Sequence, residues 1–96
     1  MRVYIIHPDS KSENYIDKVL ATEQMLHNEG HHVVNPYPDQ DKVIVSNVEM
    51  HEMYSNKIEL ADMVYAMEGW DKSVTGNKAM SKAKILRKTI RFEQKV

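Results

Sequence analysis

Two stretches of this chain, Val3-Tyr-Ile-Ile6 and Met63-Val-Tyr-Ala-Met67, are apolar at every position instead of every second one. A strand of that kind must be covered on both faces. Parallel sheets built from β-α-β units provide this, whereas antiparallel sheets commonly leave one face in water. The rest of the sequence alternates to match. Pro8-Asp-Ser10 stops a first strand at Arg2–His7, and Ser10-Lys-Ser-Glu13 has the spacing of a capping box, which predicts a helix start there. Tyr15, Ile16, Val19, Leu20 and Leu26 form an apolar stripe at helical spacing, closed by Gly30 as a C-terminal cap.

His31-His-Val-Val-Asn35 predicts a second short strand, stopped by Pro36-Tyr-Pro38. Residues 36–46 read as a polar loop with an apolar patch at Val43-Ile-Val45, and Ser46-Asn-Val-Glu49 is a second capping box opening a helix to about Leu60. Asp62–Met67 predicts the third strand, a third helix runs from Thr75 or Gly76 to about Arg87, and Thr89-Ile-Arg-Phe92 is the fourth strand. Right-handed crossovers then give a small three-layer α/β domain, flavodoxin-like or Rossmann-like, with a four-stranded parallel sheet in the order 2-1-3-4. Ligands in such folds bind at the carboxyl ends of the first and third strands, where the order reverses.

Ninety-six residues predict one domain over 1–96 with a single modest core. No apolar run approaches the roughly 20 residues of a membrane span, and Met1-Arg-Val-Tyr-Ile-Ile-His7 reads as a strand and not as a secretory leader. The absence of cysteine excludes disulfides and thiolate chemistry and fits a cytoplasmic location. The net charge of −1 conceals an asymmetry: residues 1–71 carry five Lys/Arg against thirteen Asp/Glu, and residues 72–96 carry eight against Glu93 alone. A basic end attracts phosphates or nucleic acid. No aromatic interleaving accompanies these charges, so the sequence favours a solvated helix face, matched by acidic residues of the body or of a second subunit, over nucleic-acid binding.

The segment Met67–Ala83 holds the most information about function. It leaves the third strand, turns at Gly69-Trp70, and enters a helix through Ser73, Thr75, Gly76 and Asn77, with Lys72 and Lys78 alongside. Backbone N–H groups and the helix dipole favour an anion there, and the hydroxyl and amide groups suit a phosphate or ribose, although Ser, Thr and Asn are also ordinary capping residues. Trp70 either stacks on a base or anchors the loop, and Met80 is expected to line the pocket. His7, Pro8, Ser10 and Tyr15 face the same place from the first strand's end, with His7 read equally well as an edge histidine or a ligand contact. The turn and helix carry no acidic residue facing the site, so the stretch suits binding better than reaction.

Val3-Tyr-Ile-Ile-His-Pro8, Gly30-His-His-Val-Val-Asn-Pro36, Leu60-Ala-Asp62 and Gly69-Trp-Asp-Lys-Ser73 together resemble the nucleoside 2-deoxyribosyltransferase-like superfamily. Within it they are most similar to the small, often phage-encoded branch grouped as DUF4406. The resemblance spans nearly the whole chain and implies cleavage or transfer of an N-glycosidic bond of deoxynucleosides or nucleotides. A glutamate on the third helix would act as nucleophile, and an aspartate on the second helix would hold the sugar or protonate the base. The glutamate position falls at Ala79 or Met80, the aspartate position at Tyr54, and the small glycine of the first loop at His7. Three functional positions therefore depart from the family pattern. Glu68 and Asp71 are the fallback carboxylates, and Glu52 is a further one in principle.

Other chemistry is less well supported. His7, His27, His31, His32 and His51 show no pair at convincing metal-ligand spacing, and there is no Walker or dinucleotide glycine pattern, so no metal and no cofactor are expected. Two main functions remain. One is a catalytically silent protein that binds or sequesters a nucleotide or nucleoside phosphate, such as a phage sponge for a nucleotide signal. The other is a divergent deoxyribonucleoside-phosphate N-glycosidase using Glu68 or Asp71. A protein-interaction or inhibitor module is a third. A homodimer or larger assembly is expected, because so small a sheet buries a marginal core.

Overall fold

The computed structural model describes residues 1–9, 11, 13–35 and 56–94. Expectations placed on Ser10, the 36–46 loop, the capping box at Ser46, His51, Glu52 and Tyr54 lie outside the described residues. Strands β1 (Arg2–Ile6), β2 (His32–Val33), β3 (Met63–Ala66) and β4 (Thr89–Phe92) form one all-parallel sheet in the order β2-β1-β3-β4. Helix α1 (Tyr15–Asn28) covers one face, while α2 (56–60) and α3 (Val74–Ile85) cover the other. The α/β class and strand order are those the apolar runs predict. Among the described residues no helix is long and apolar enough to cross a membrane.

The unalternated strands explain the layering. Tyr4, Ile6, Val64 and Ala66 point into a cluster with Ile58, Ala79, Met80 and Ala83. Their neighbours Val3, Ile5, Met63 and Tyr65 point the other way, against Val19, Leu26 and Val33. Each of these side chains is buried, and full burial of one such aliphatic residue contributes about 1.5–3 kcal/mol. Small side chains at Gly76, Ala79 and Ala83 form the sheet-facing side of α3, which allows the helix to lie close on the strands.

Four local expectations are corrected. Helix α1 starts at Tyr15 and not at Ser10, because Asn14 sits in the left-handed region (φ 57°) and interrupts the helical backbone. Of the expected stripe, Ile16 and Leu20 face water; Thr22 and Glu23 take the buried side with Val19 and Leu26. Strand β2 has only two residues, and the Asn35 side chain continues the pairing beyond it. Helix α3 begins at Val74, a residue or two before the expected start.

Both long helices end in the same double bond pattern. After α1, Gly30 N–H donates to His27 O (2.9 Å) and His31 N–H to Leu26 O (2.9 Å), with Gly30 at φ 89°. After α3, Arg87 N–H donates to Lys84 O (3.1 Å) and Lys88 N–H to Ala83 O (3.0 Å), with Arg87 at φ 56°. This is the Schellman arrangement, whose left-handed residue favours glycine. Arg87→Gly is therefore expected to raise stability by about 0.5–1 kcal/mol, the relief of left-handed strain exceeding the added freedom of the unfolded chain. Urea denaturation measures it, and a destabilised Arg87→Gly protein would contradict the strain argument.

Part of the basic C-terminal excess is matched inside the chain. Arg91 makes a two-pronged contact with Glu29 (Nη1 to Oε1 2.7 Å, Nη2 to Oε2 3.1 Å) and lies 5.4 Å from the Tyr65 ring centre. Hydrogen bonding from Arg91 holds the Glu29 carboxyl below its ordinary range. Lys82 pairs with Glu59 at 3.5 Å, and Lys88 donates to the Glu59 carbonyl at 3.0 Å. The Arg2 backbone N–H, bonded to Asp62 at 2.9 Å, likewise lowers that carboxyl, and the Arg2 charge adds to the effect.

Candidate functional site

The carboxyl ends of β1 and β3 meet at a tight contact that favours glycine. Gly69 has φ 89°, and a Cβ there would stand 3.3 Å from Pro8 Cβ. The loop after β1 and the loop after β3 are thereby packed together, which brings His7, Pro8 and Gly69 to one place. Pro8 is buried and His7 is half-buried. His7 Nδ1 lies 2.9 Å from the Tyr15 hydroxyl, and the two rings meet edge to face at 5.9 Å. Tyr15, the first residue of α1, thus fixes the orientation of the imidazole at the sheet's topological switch point.

The lip after β3 is a sequence of short turns. Met67 N–H donates to Ile6 O (3.1 Å), Trp70 N–H to Met67 O (3.1 Å), and Trp70–Lys72 form one 3₁₀ turn. Trp70 is half-buried, packs on the core, and sits 6.4 Å from the Phe92 ring at a 45° tilt. These contacts give Trp70 an anchoring role and leave part of its ring accessible. Asp71 and Lys72 are exposed. Glu68 is exposed too, and its backbone N–H donates to Glu93 Oε2 at 3.1 Å, while Glu93 N–H donates to Ala66 O at 2.8 Å.

At the start of α3 the capping is supplied from within. Ser73 Oγ accepts from Gly76 N–H (3.2 Å), and Asn77 Nδ2 donates to Asp71 O (2.8 Å) and Ser73 O (2.9 Å). Gly76 is needed for a reason internal to the fold: a Cβ there would lie 2.2 Å from the Trp70 carbonyl oxygen. Thr75 is exposed at the rim. Met80 does not line an opening. It is 2% exposed and, with Ala79 at 5%, belongs to the core. Among the described residues no three His, Cys, Asp or Glu side chains gather as a metal site, and His31 Nε2 instead lies 3.8 Å from Glu29.

Sequence reasoning singled out most of this rim but missed Asn35. Its side chain works as an extra residue of β2: Ile5 N–H donates to Oδ1 (2.9 Å) and Nδ2 donates to Ile5 O (2.8 Å). The pairing holds β1 two residues before His7. The signal was Asn35 at the end of the Gly30–Pro36 segment, where a polar residue stands at a strand end with donor and acceptor spaced like a peptide group. Phe92 and Glu93 were also unflagged, because their partners, Trp70 and the Glu68 N–H, are distant in sequence.

No protein-family model matches the chain, and no curated protein matches it. The structure is similar to that of the CMP N-glycosidase BcmB from Clostridium botulinum, with a TM-score of 0.71 and 17% identity over 96% of this chain and 67% of that one. At that identity the likeness is one of fold, and it joins this chain to the architecture of a nucleotide N-glycosidase.

Proposed function

We propose that this chain binds a nucleotide or nucleoside phosphate at the carboxyl edge of β1 and β3 and leaves its N-glycosidic bond intact. The observation that carries the reading is the composition and burial of α3. That helix contains no carboxylate, and Ala79 and Met80, where the resembling family would place its nucleophile, are packed into the core. A buried methyl or thioether supplies neither a nucleophile nor an anion to stabilise oxocarbenium-like charge. Binding is supported by the fold shared with the CMP N-glycosidase and by the convergence of His7, Tyr15, Gly69 and Trp70 at the switch point, with Lys72, Ser73, Thr75 and Asn77 on the adjoining turn. A protein of this kind holds or sequesters its ligand, as a sponge for a nucleotide signal does. It works in the cytoplasm as a homodimer or larger assembly.

The second reading, a divergent N-glycosidase, is favoured by one observation. Glu68 stands exposed on the lip after β3, and the bond from its N–H to Glu93 fixes the backbone there. Incubation with CMP, dCMP and the other common nucleoside monophosphates, followed by chromatography for free base, separates the two. No base release is expected from any of them. Turnover that vanishes in Glu68→Gln or Asp71→Asn would establish the glycosidase instead.

A further inference from the structure

Among the described residues, Phe92 is the only aromatic in the set of large apolar side chains left exposed, at 54%. It closes β4 opposite Ala66, the last residue of β3, so it stands at the carboxyl edge of the sheet. Paired positions of neighbouring strands share a face, and Ala66 faces the cluster that α3 covers. Ile90, two residues earlier on that face, packs against the core, while Phe92 meets the turn after β3 through Trp70. The ring centres are 6.4 Å apart, the separation of an interacting aromatic pair. Their 45° tilt keeps the two faces from closing on each other, so the half-buried Trp70 and the exposed Phe92 form an open corner.

Both rings are carried on fixed backbone. Trp70 N–H donates to Met67 O (3.1 Å), and Trp70 O accepts from Ser73 N–H (3.3 Å). Phe92 lies in the ladder with β3, and the next residue, Glu93, donates its N–H to Ala66 O at 2.8 Å. Little ordering is then needed when a flat group arrives. Lys72 is two residues beyond Trp70 on the same 3₁₀ turn, about 4 Å along its axis at roughly 2.0 Å per residue. Ser73 and Thr75 follow directly.

We propose that Trp70 and Phe92 form the base subsite of the nucleotide site, with the base laid on the Phe92 face and bordered by Trp70 while the phosphate sits at Lys72 and the turn before α3. The inference rests on the nucleotide reading and adds to it where, and by what contact, the base is held. Stacking reads the π-face that every base has. The subsite therefore separates a nucleotide from a sugar phosphate and discriminates little between one base and another.

Titrations of CMP, UMP and ribose 5-phosphate test it, followed by calorimetry and by the emission of Trp70, the one tryptophan of the chain. CMP and UMP are expected to bind alike and to change that emission, and ribose 5-phosphate to bind more weakly and leave it unchanged. Phe92→Leu keeps apolar bulk without a π-face, and Phe92→Tyr keeps the face. Phe92 is exposed, so circular dichroism is expected to show both variants folded. Phe92→Leu is expected to weaken CMP about fivefold or more, with ribose 5-phosphate unaffected and Phe92→Tyr close to the parent. If the parent and Phe92→Leu bind CMP equally, or if Phe92→Leu weakens CMP and ribose 5-phosphate alike, the base subsite is overturned and nucleotide binding stands. A parent protein that binds no nucleotide removes both.

Discussion

Gly76→Val is expected to lower stability by about 3 kcal/mol or more, beyond the usual range for inserting methyl groups into a packed site. The position lies in the first turn of α3, where replacing glycine by alanine ordinarily gains up to about 1 kcal/mol. Here the sign reverses, because a Cβ would stand 2.2 Å from the Trp70 carbonyl oxygen and 3.2 Å from its carbon. Neither atom belongs to a flexible side chain. Trp70 is pinned by its N–H to Met67 O, and its carbonyl accepts from Ser73 N–H at 3.3 Å. Even Gly76→Ala is therefore expected to be destabilising, with a change in Trp70 fluorescence as the turn is displaced. Urea denaturation gives the answer, and an alanine variant as stable as the parent would mean that the turn can move aside.

Asn35→Ala is expected to cost about 2–6 kcal/mol, from two buried backbone groups left without partners at roughly 1–3 kcal/mol each. The groups are Ile5 N–H and Ile5 C=O, at a residue almost wholly enclosed. Asn35→Asp separates the two bonds. An aspartate can still accept from Ile5 N–H, but its second oxygen faces the Ile5 carbonyl, and repulsion there favours the protonated acid. The folded-state pKa of the new acid is thus raised, so the variant is expected to be destabilised at neutral pH and to recover as pH falls and the acid donates to the carbonyl. Destabilisation independent of pH would show that shape, and not the hydrogen-bond pair, is what Asn35 supplies.

The parts of the fold that were legible in the sequence are those governed by local rules. Val3–Ile6 and Met63–Met67 announce doubly covered strands by lacking alternation, and Gly30 announces the end of α1 by its conformational preference. From these the strand order follows. What escaped depended on distant partners. Ile16 and Leu20 fit a helical stripe as well as Val19 and Leu26 do, but the helix turns Val19, Thr22, Glu23 and Leu26 to the sheet and leaves the other edge of that stripe in water. Gly76 looked like a place for a ligand to approach the backbone, whereas the Trp70 carbonyl lies against it. Met80 was expected to line a pocket, yet the small residues of α3 draw the helix onto the strands and enclose it. The pairing of His7 with Tyr15 ties the end of β1 to the start of α1 and orders that part of the rim.

Isothermal titration of CMP against cytidine, at low and raised salt, tests phosphate-dependent nucleotide binding without cleavage most directly. A phosphate held by Lys72 and the turn before α3 gains charge-assisted bonds of about 1.5–3 kcal/mol when the bound ligand shields that contact from water, so CMP is expected to bind about tenfold or more tightly than cytidine. The gap should narrow as salt screens the contact and shrink in Lys72→Ala. The nucleotide recovered from the cell after titration should be intact. Equal affinity for CMP and cytidine, or recovery of free cytosine, would contradict the account.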